Sequence, residues 1–171
     1  MCGRYRWQIL APIILVLIHD LAACADLPEI QVDVNQTGDA AVVREEEGRA
    51  LILVSTRTGI GRLTMTAKNS KWPRQITLRL RYEDGKPLKS LEGFECTSPR
   101  LQIRSNSGQS GRVPFFLAGD DGKFSRDDQS PSGWLNLQIK PGGEGLDIQF
   151  PDNLWKGEKQ VQIQWIDFYR I

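Results

Sequence analysis

The sequence predicts an all-β fold, an antiparallel two-sheet β-sandwich of jelly-roll type, with a β-barrel as the alternative. Short runs of alternating apolar and polar residues recur along the chain, and turns rich in Gly, Pro, Asn and Asp separate them. No stretch shows a convincing long helical period. The 171 residues are enough for one domain with its own core.

The N-terminus has the pattern of an export signal. Arg4 and Arg6 precede an apolar run from Trp7 to Ile18, and small residues follow it. The run is shorter than the ~20 residues that a helix needs to cross a bilayer. We therefore expect a signal peptide over residues 1–23.

The residues from Leu21 to Cys24 resemble a bacterial lipobox, in which the cysteine thiol is alkylated by a diacylglycerol donor. A lipid on Cys24 would make the protein a periplasmic or outer-membrane lipoprotein, attached to the membrane through that anchor. Ordinary cleavage after Ala25, which would give a secreted soluble protein, is the alternative.

Residues 24–48 are rich in acids, and we interpret them as an acidic tether with a first strand at Glu29–Asn35. The sandwich domain is then expected over residues 49–171. It begins with an apolar run, Ala50 to Val54, that is dense enough for a strand covered on both faces.

The clearest strands lie between Gly61 and Tyr82. Apolar residues alternate with polar ones from Gly61 to Lys68 and again from Gln75 to Tyr82. Asn69 to Pro73 supply turn residues between the two runs. This arrangement predicts a hairpin with one apolar face.

The remaining strands follow from shorter patterns of the same kind. The segment from Leu88 to Thr97, which carries Phe94 and Cys96, is a strand or an irregular crossing. Trp134 and Trp165 are expected in the core, and a bulge in the last strand, or burial of both its faces, would explain why its apolar face switches. The further expected strands are Leu101–Arg104, Val113–Leu117, Trp134–Lys140, Leu146–Phe150 and Gln160–Arg170.

The residue content excludes several classes of enzyme. The single histidine, His19, lies in the export signal, so the mature chain cannot form a Ser-His-Asp or Cys-His pair or a His-ligated zinc site. Cys96 is expected to be a small buried hydrophobe, because no histidine is present to activate it. No cofactor is predicted, apart from a calcium alternative.

That alternative concerns the long connection from Gly119 to Gly133. Its four aspartates could gather around a calcium ion, although their spacing matches no EF-hand loop and acidic turns are common. The aspartates are Asp120, Asp121, Asp127 and Asp128.

Charge is distributed unevenly along the chain. Thirteen basic and four acidic residues lie between Arg49 and Arg112. We interpret this excess as a solvated strand face, and the alternative is a surface for polyanionic glycan or phospholipid headgroups. Nucleic acid is not expected as a partner of an exported protein.

Part of the chain, roughly residues 58–171, resembles an uncharacterised family of secreted bacterial proteins. The resemblance implies export and the domain boundary, and it brings no known activity. It is carried by Gly59-Ile60-Gly61, Trp72-Pro73-Arg74-Gln75-Ile76, Arg79-Leu80, Ser130-Pro131 before Trp134, and the ending Trp165-Ile166-Asp167-Phe168-Tyr169-Arg170.

Three functions follow from these patterns. The first is a non-catalytic protein with a binding or structural role at the cell envelope, whose partner is an envelope glycan or protein. The second is a carbohydrate-binding module, with Trp72 and Trp155 as exposed stacking platforms and Arg74, Asp152 and Asn153 as hydrogen-bonding groups.

The third function is a carboxylate-dependent glycosidase or lyase, for which Asp121, Asp127 and Asp167 are the candidate acids. We do not expect an enzyme, because nothing in the neighbours of these acids distinguishes them. For the tryptophans the competing interpretation is that they clamp the end of the domain.

Overall fold

The computed structural model describes residues 28–35, 38–57, 60–86, 88, 92–98, 101–105, 111–119, 121, 123–124 and 130–166. These residues form eleven strands and two single 3₁₀ turns, Glu46–Gly48 and Pro141–Gly143. The strands are β1 (Glu29–Asn35), β2 (Ala40–Arg44), β3 (Arg49–Thr56), β4 (Ile60–Lys68), β5 (Gln75–Tyr82), β6 (Glu92–Thr97), β7 (Gln102–Ser105), β8 (Gly111–Ala118), β9 (Gly133–Lys140), β10 (Gly145–Gln149) and β11 (Gln160–Ile166).

All eleven strands belong to one continuous sheet in the order β1-β4-β11-β6-β7-β8-β9-β10-β5-β3-β2. The sheet curls until its two edge strands, β1 and β2, contact each other, so it is nearly closed and barrel-like. The all-β prediction is confirmed, whereas the two-sheet sandwich is not. The sheet is also mixed, because β3 and β5 run parallel.

The predicted hairpin between Gly61 and Tyr82 is wrong in its pairing, although both strands and both buried faces are confirmed. β4 pairs with β1 and β11, whereas β5 pairs with β3 and β10. The connection, in which Asn69 and Ser70 have φ values of 60° and 53°, joins two strands that are not neighbours in the sheet. The two apolar faces therefore do not lie side by side, although the buried residues of both strands belong to one core cluster.

The core fills the inside of this curled sheet. One cluster of buried side chains includes Ile52 of β3, Leu63 of β4, Leu78 of β5 and Trp165 of β11, each no more than 1% exposed. Trp165 is thus in the core as predicted. Gly61 lies opposite it, and a Cβ atom there would come 2.0 Å from the indole ring, so only glycine fits.

The last described strand and β6 also agree with the sequence analysis. β6 places Phe94 and Cys96 in the core, at 3% and 0% exposure. The pairing of β11 with β6 shifts register between Gln164 and Ile166, the irregularity expected near the end of that strand. β3 buries one face fully and its other face partly.

The acidic N-terminal segment contributes strands to the same sheet. β1 pairs with β4 over its whole length, and β2 pairs with β3. Lys68 forms an ion pair with Glu29, and this contact lowers the pKa of the Glu29 carboxyl. The sheet therefore begins at Glu29, five residues after Cys24.

Candidate binding face

Trp72 and Trp155 lie at the end of the sheet where β4 connects to β5. The Trp155 ring is 3% exposed, with the Phe150 ring 4.5 Å and the Trp72 ring 5.7 Å away between centroids. The Trp72 indole N–H donates a hydrogen bond of 2.6 Å to the Glu158 carbonyl. The expectation of an exposed platform is wrong for Trp155, because its side chain packs in an aromatic cluster that closes this end of the core.

The polar residues predicted beside these tryptophans do come together, but they bind one another. The Asp152 carboxylate accepts a hydrogen bond of 3.1 Å from Gln75 and pairs with Arg74 at 3.1 Å. The Asn153 backbone N–H donates to the Arg74 carbonyl at 2.7 Å, and Asn153 has a φ of 58°. These contacts fasten the segment after β10 to the start of β5, which is a structural role.

Most of the other predicted site residues lie outside the described residues. These are Cys24, Asp120, Asp127, Asp128 and Asp167. The described Asp121 is exposed, and its carboxylate accepts a hydrogen bond of 3.0 Å from the Lys123 backbone N–H. Within the described ranges, no three His, Cys, Asp or Glu side chains come close enough together to hold a metal ion.

A polar groove of about 260 Å³ runs across the outer face of β9, β10, β5 and β3. We call it the amide groove, because its lining is rich in Asn and Gln side chains. It is lined by Glu45, Arg49, Leu51, Gln75, Thr77, Arg79, Asn136, Gln138, Lys140, Asp147 and Gln149.

Strand alternation places these side chains outside. In β9, Leu135 and Leu137 point into the core, so Asn136 and Gln138, which each follow one of them, point to solvent. The register then aligns Asn136 with Gln149 and Gln149 with Thr77 across three neighbouring strands. The result is a row of hydrogen-bonding side chains perpendicular to the strands, about 5 Å apart from strand to strand.

One end of the groove is fixed by an ion-pair network. Arg79 donates two hydrogen bonds to Asp147, of 2.7 and 3.1 Å, and also approaches Glu144 at 3.3 Å. Lys140 lies 3.3 Å from the same aspartate, which is 8% exposed. The hydrogen bonds that Arg79 donates to Asp147 raise the pKa of Arg79, so the guanidinium stays charged. This bidentate geometry holds the walls of the groove in place.

Trp134 lies on the same face of β9 as Asn136, two residues away and therefore about 7 Å along the strand. Its side chain is 43% exposed, and the Arg112 guanidinium sits 4.9 Å from the ring centroid. The expectation that Trp134 is a core residue is wrong. The signal was present in the sequence, because Trp134 shares its face with Asn136 and Gln138 while leucines occupy the other.

This arrangement suits a ligand with many hydroxyl groups. Side-chain amides both donate and accept hydrogen bonds, and an exposed indole offers an apolar face to stack against. The charges of the groove nearly balance, because Arg49, Arg79 and Lys140 face Glu45 and Asp147. The groove therefore favours a neutral ligand over a polyanion.

No family model, curated protein or solved structure matches this chain. The resemblance to secreted bacterial proteins therefore stays a prediction. None of the helical turns among the described residues has the length or the apolar character needed to cross a bilayer.

Proposed function

We propose that this chain is an exported, lipid-anchored, non-catalytic glycan-binding protein of the bacterial cell envelope, and that the amide groove is its binding site. The observation that carries the proposal is the exposed Trp134 ring beside the row of amide side chains. In the carbohydrate-binding interpretation, Trp134 therefore takes the place of Trp72 and Trp155 as the stacking platform.

The chemistry of the row supports a sugar ligand. A pyranose ring has one face of C–H groups, which can stack on an indole, and a rim of hydroxyl groups, which can bond to amides. Asn136, Gln149 and Thr77 offer such groups in line, at the spacing of the strands. The length of the row suits an oligosaccharide chain better than a single sugar.

The non-catalytic part of the proposal is supported by the state of Asp147. A glycosidase needs one carboxylic acid that can donate a proton and a second carboxylate on the other side of the glycosidic bond that is cleaved. Both Asp147 oxygens are engaged by Arg79, and Lys140 adds a second cation. Both carboxylate oxygens are therefore occupied by ion pairs within the protein, so Asp147 acts as a structural anchor of the groove.

We further propose that the curled sheet works as two packed walls, as a sandwich does. β8 joins them, because Gln102 to Arg104 of β7 pair with the end of β8 while β9 pairs with its beginning. The amide groove lies on the outer face of the wall formed by β9, β10, β5 and β3, whereas the aromatic cluster closes the core at one end of that wall.

Binding of purified mature protein to an array of neutral and acidic glycans tests the site. We expect binding to neutral polysaccharides, and Trp134→Ala should weaken it about fivefold, since aromatic stacking contributes roughly 1 kcal/mol. Asn136→Ala should weaken it as well. Gln162→Ala is the matched control, because it removes a half-exposed amide from β11, outside the groove.

Equal loss in all three variants would mean that the groove is not the site. Binding restricted to acidic polysaccharides would support the polyanion alternative instead. The anchor is tested separately by mass spectrometry of the mature N-terminus, which should show Cys24 as the first residue with a lipid attached.

A further inference from the structure

A second cavity, unlike the groove, is largely apolar. It lies where β1 begins and β2 ends, and its volume is about 230 Å³. Its walls are formed by Pro28, Ile30, Val42, Ala50 and Pro73. We call it the seam cavity, because β1 and β2 are the two edges of the curled sheet, which contact each other without a ladder of backbone hydrogen bonds.

The seam cavity has room for an apolar group. Its volume corresponds to about eight water molecules at ~30 Å³ each, yet apolar walls give water few partners. Such a cavity is better filled by a hydrocarbon. Since the strands on either side are not bonded to each other, the seam can also widen without breaking sheet hydrogen bonds.

The mouth of the cavity argues against a free anionic lipid. Glu45, Glu46 and Glu47 lie there together with Arg44 and Arg49, so the charged groups carry a net charge of about minus one. A phosphate or carboxylate headgroup would gain little at this mouth. A better occupant is a hydrocarbon chain that is covalently attached to the protein itself.

The point of attachment is close. Pro28 lines the cavity and follows Cys24 by four residues, so an extended chain places Cys24 no more than about 14 Å away. A group held by such a short linker has an effective concentration in the millimolar range or above. The lipid anchor and the cavity are therefore within reach of each other.

We propose that the seam cavity receives a fatty-acyl chain carried by Cys24, an inference that rests on the lipidation in the proposed function. One chain of the anchor then docks in the protein while the others stay in the bilayer. This contact holds the start of β1 against the membrane, and the amide groove begins beside it, because Glu45 and Arg49 line both the cavity and the groove.

Photo-crosslinking of the full-length protein tests the inference. Cells that lipidate the protein are fed a palmitate analogue with a diazirine near its end. Their membranes are irradiated, and the protein is then purified and analysed by peptide mass spectrometry. We expect intramolecular crosslinks to the peptides that contain Ile30, Val42 and Ala50. Val42→Trp, which fills the cavity, should reduce them at least tenfold.

Val43→Trp is the matched control, because Val43 is the next residue on β2 but is 43% exposed on the outer face. It should leave the crosslinks unchanged. If the labelled wild-type protein forms crosslinks only to membrane lipids, the inference is wrong, whether or not the variants fold. Such a result still supports the lipid anchor. Protein that carries no label at all refutes the lipid anchor and the inference together, while the glycan array still tests the groove.

Discussion

Cys96 shows how burial sets the chemistry of a residue in this protein. It is the free cysteine of the described residues, and its side chain is fully buried in β6. Burial raises the pKa of its thiol to about 12, the nearby Trp155 indole lowers it by less, and the Glu158 charge raises it further. A thiol in this state is neither a nucleophile nor a metal ligand.

The raised pKa predicts a specific loss of stability in alkali. The unfolded thiol titrates near 8.5, whereas the folded one keeps its proton to about pH 12. Below pH 8.5 the thiol contributes no pH dependence, because both states are protonated. Between pH 8.5 and about pH 12 the free energy of unfolding should fall by about 1.4 kcal/mol per pH unit.

Denaturant unfolding of wild type and Cys96→Ala at pH 7.5, 8.5, 9.5 and 10.5 checks this. Other groups titrate equally in both proteins, so the difference between the two free energies isolates the thiol. We expect the free energy of unfolding of the wild type, relative to that of Cys96→Ala, to fall steadily above pH 8.5. A difference that stays constant with pH would contradict a buried protonated thiol.

The tryptophans show the limit of prediction for single residues. Trp165 lies in the core as predicted, since Val161 and Ile163 share its face. The core prediction is wrong for Trp134, because the polar residues on its face indicate exposure more strongly than its size indicates burial. Trp155 lies in a turn, where no periodicity exists, so only the packing of the chain could reveal its burial.

At the scale of strands, alternation predicted the elements well and their partners poorly. The buried and exposed positions of β5 follow its sequence residue by residue. Alternation states which face is buried, but it carries no information on the neighbouring strand. The pairing of β5 with β3 depends on contacts across the core, so the parallel pair and the crossing before Gln75 could not be predicted.

The aromatic cluster at this crossing yields a prediction for stability. Trp72→Phe removes the N–H that bonds to the Glu158 carbonyl and shrinks a ring packed against Trp155. Loss of one part-buried hydrogen bond and some packing should reduce the free energy of unfolding by about 1–2 kcal/mol.

Trp134→Phe provides the comparison, because it makes the same chemical change at an exposed site. Its effect should stay within about 0.5 kcal/mol. Chemical denaturation monitored by circular dichroism measures both variants. A larger loss in Trp134→Phe than in Trp72→Phe would contradict the assignment of Trp72 to structure and Trp134 to binding.

At the scale of the whole molecule, the fold separates packing from recognition. The end of the sheet around Trp155 is closed by aromatic and ion-pair contacts, whereas the outer face of β9, β10, β5 and β3 presents the amide groove. The groove combines side chains from β3, from β5 and from the β9–β10 hairpin, which are distant from one another in sequence. The sequence could indicate its parts, such as the polar face of β9, but not their assembly, because that depends on the strand order.

The central claim, that the amide groove binds a neutral glycan, is tested most directly by NMR. Titration of the isotope-labelled mature protein with a soluble neutral oligosaccharide that it binds should shift backbone amide signals of residues 75–79, 134–138 and 147–149, together with the Trp134 indole N–H. Shifts confined to the cluster around Trp72 and Trp155, or no shifts with any neutral oligosaccharide, would contradict the claim.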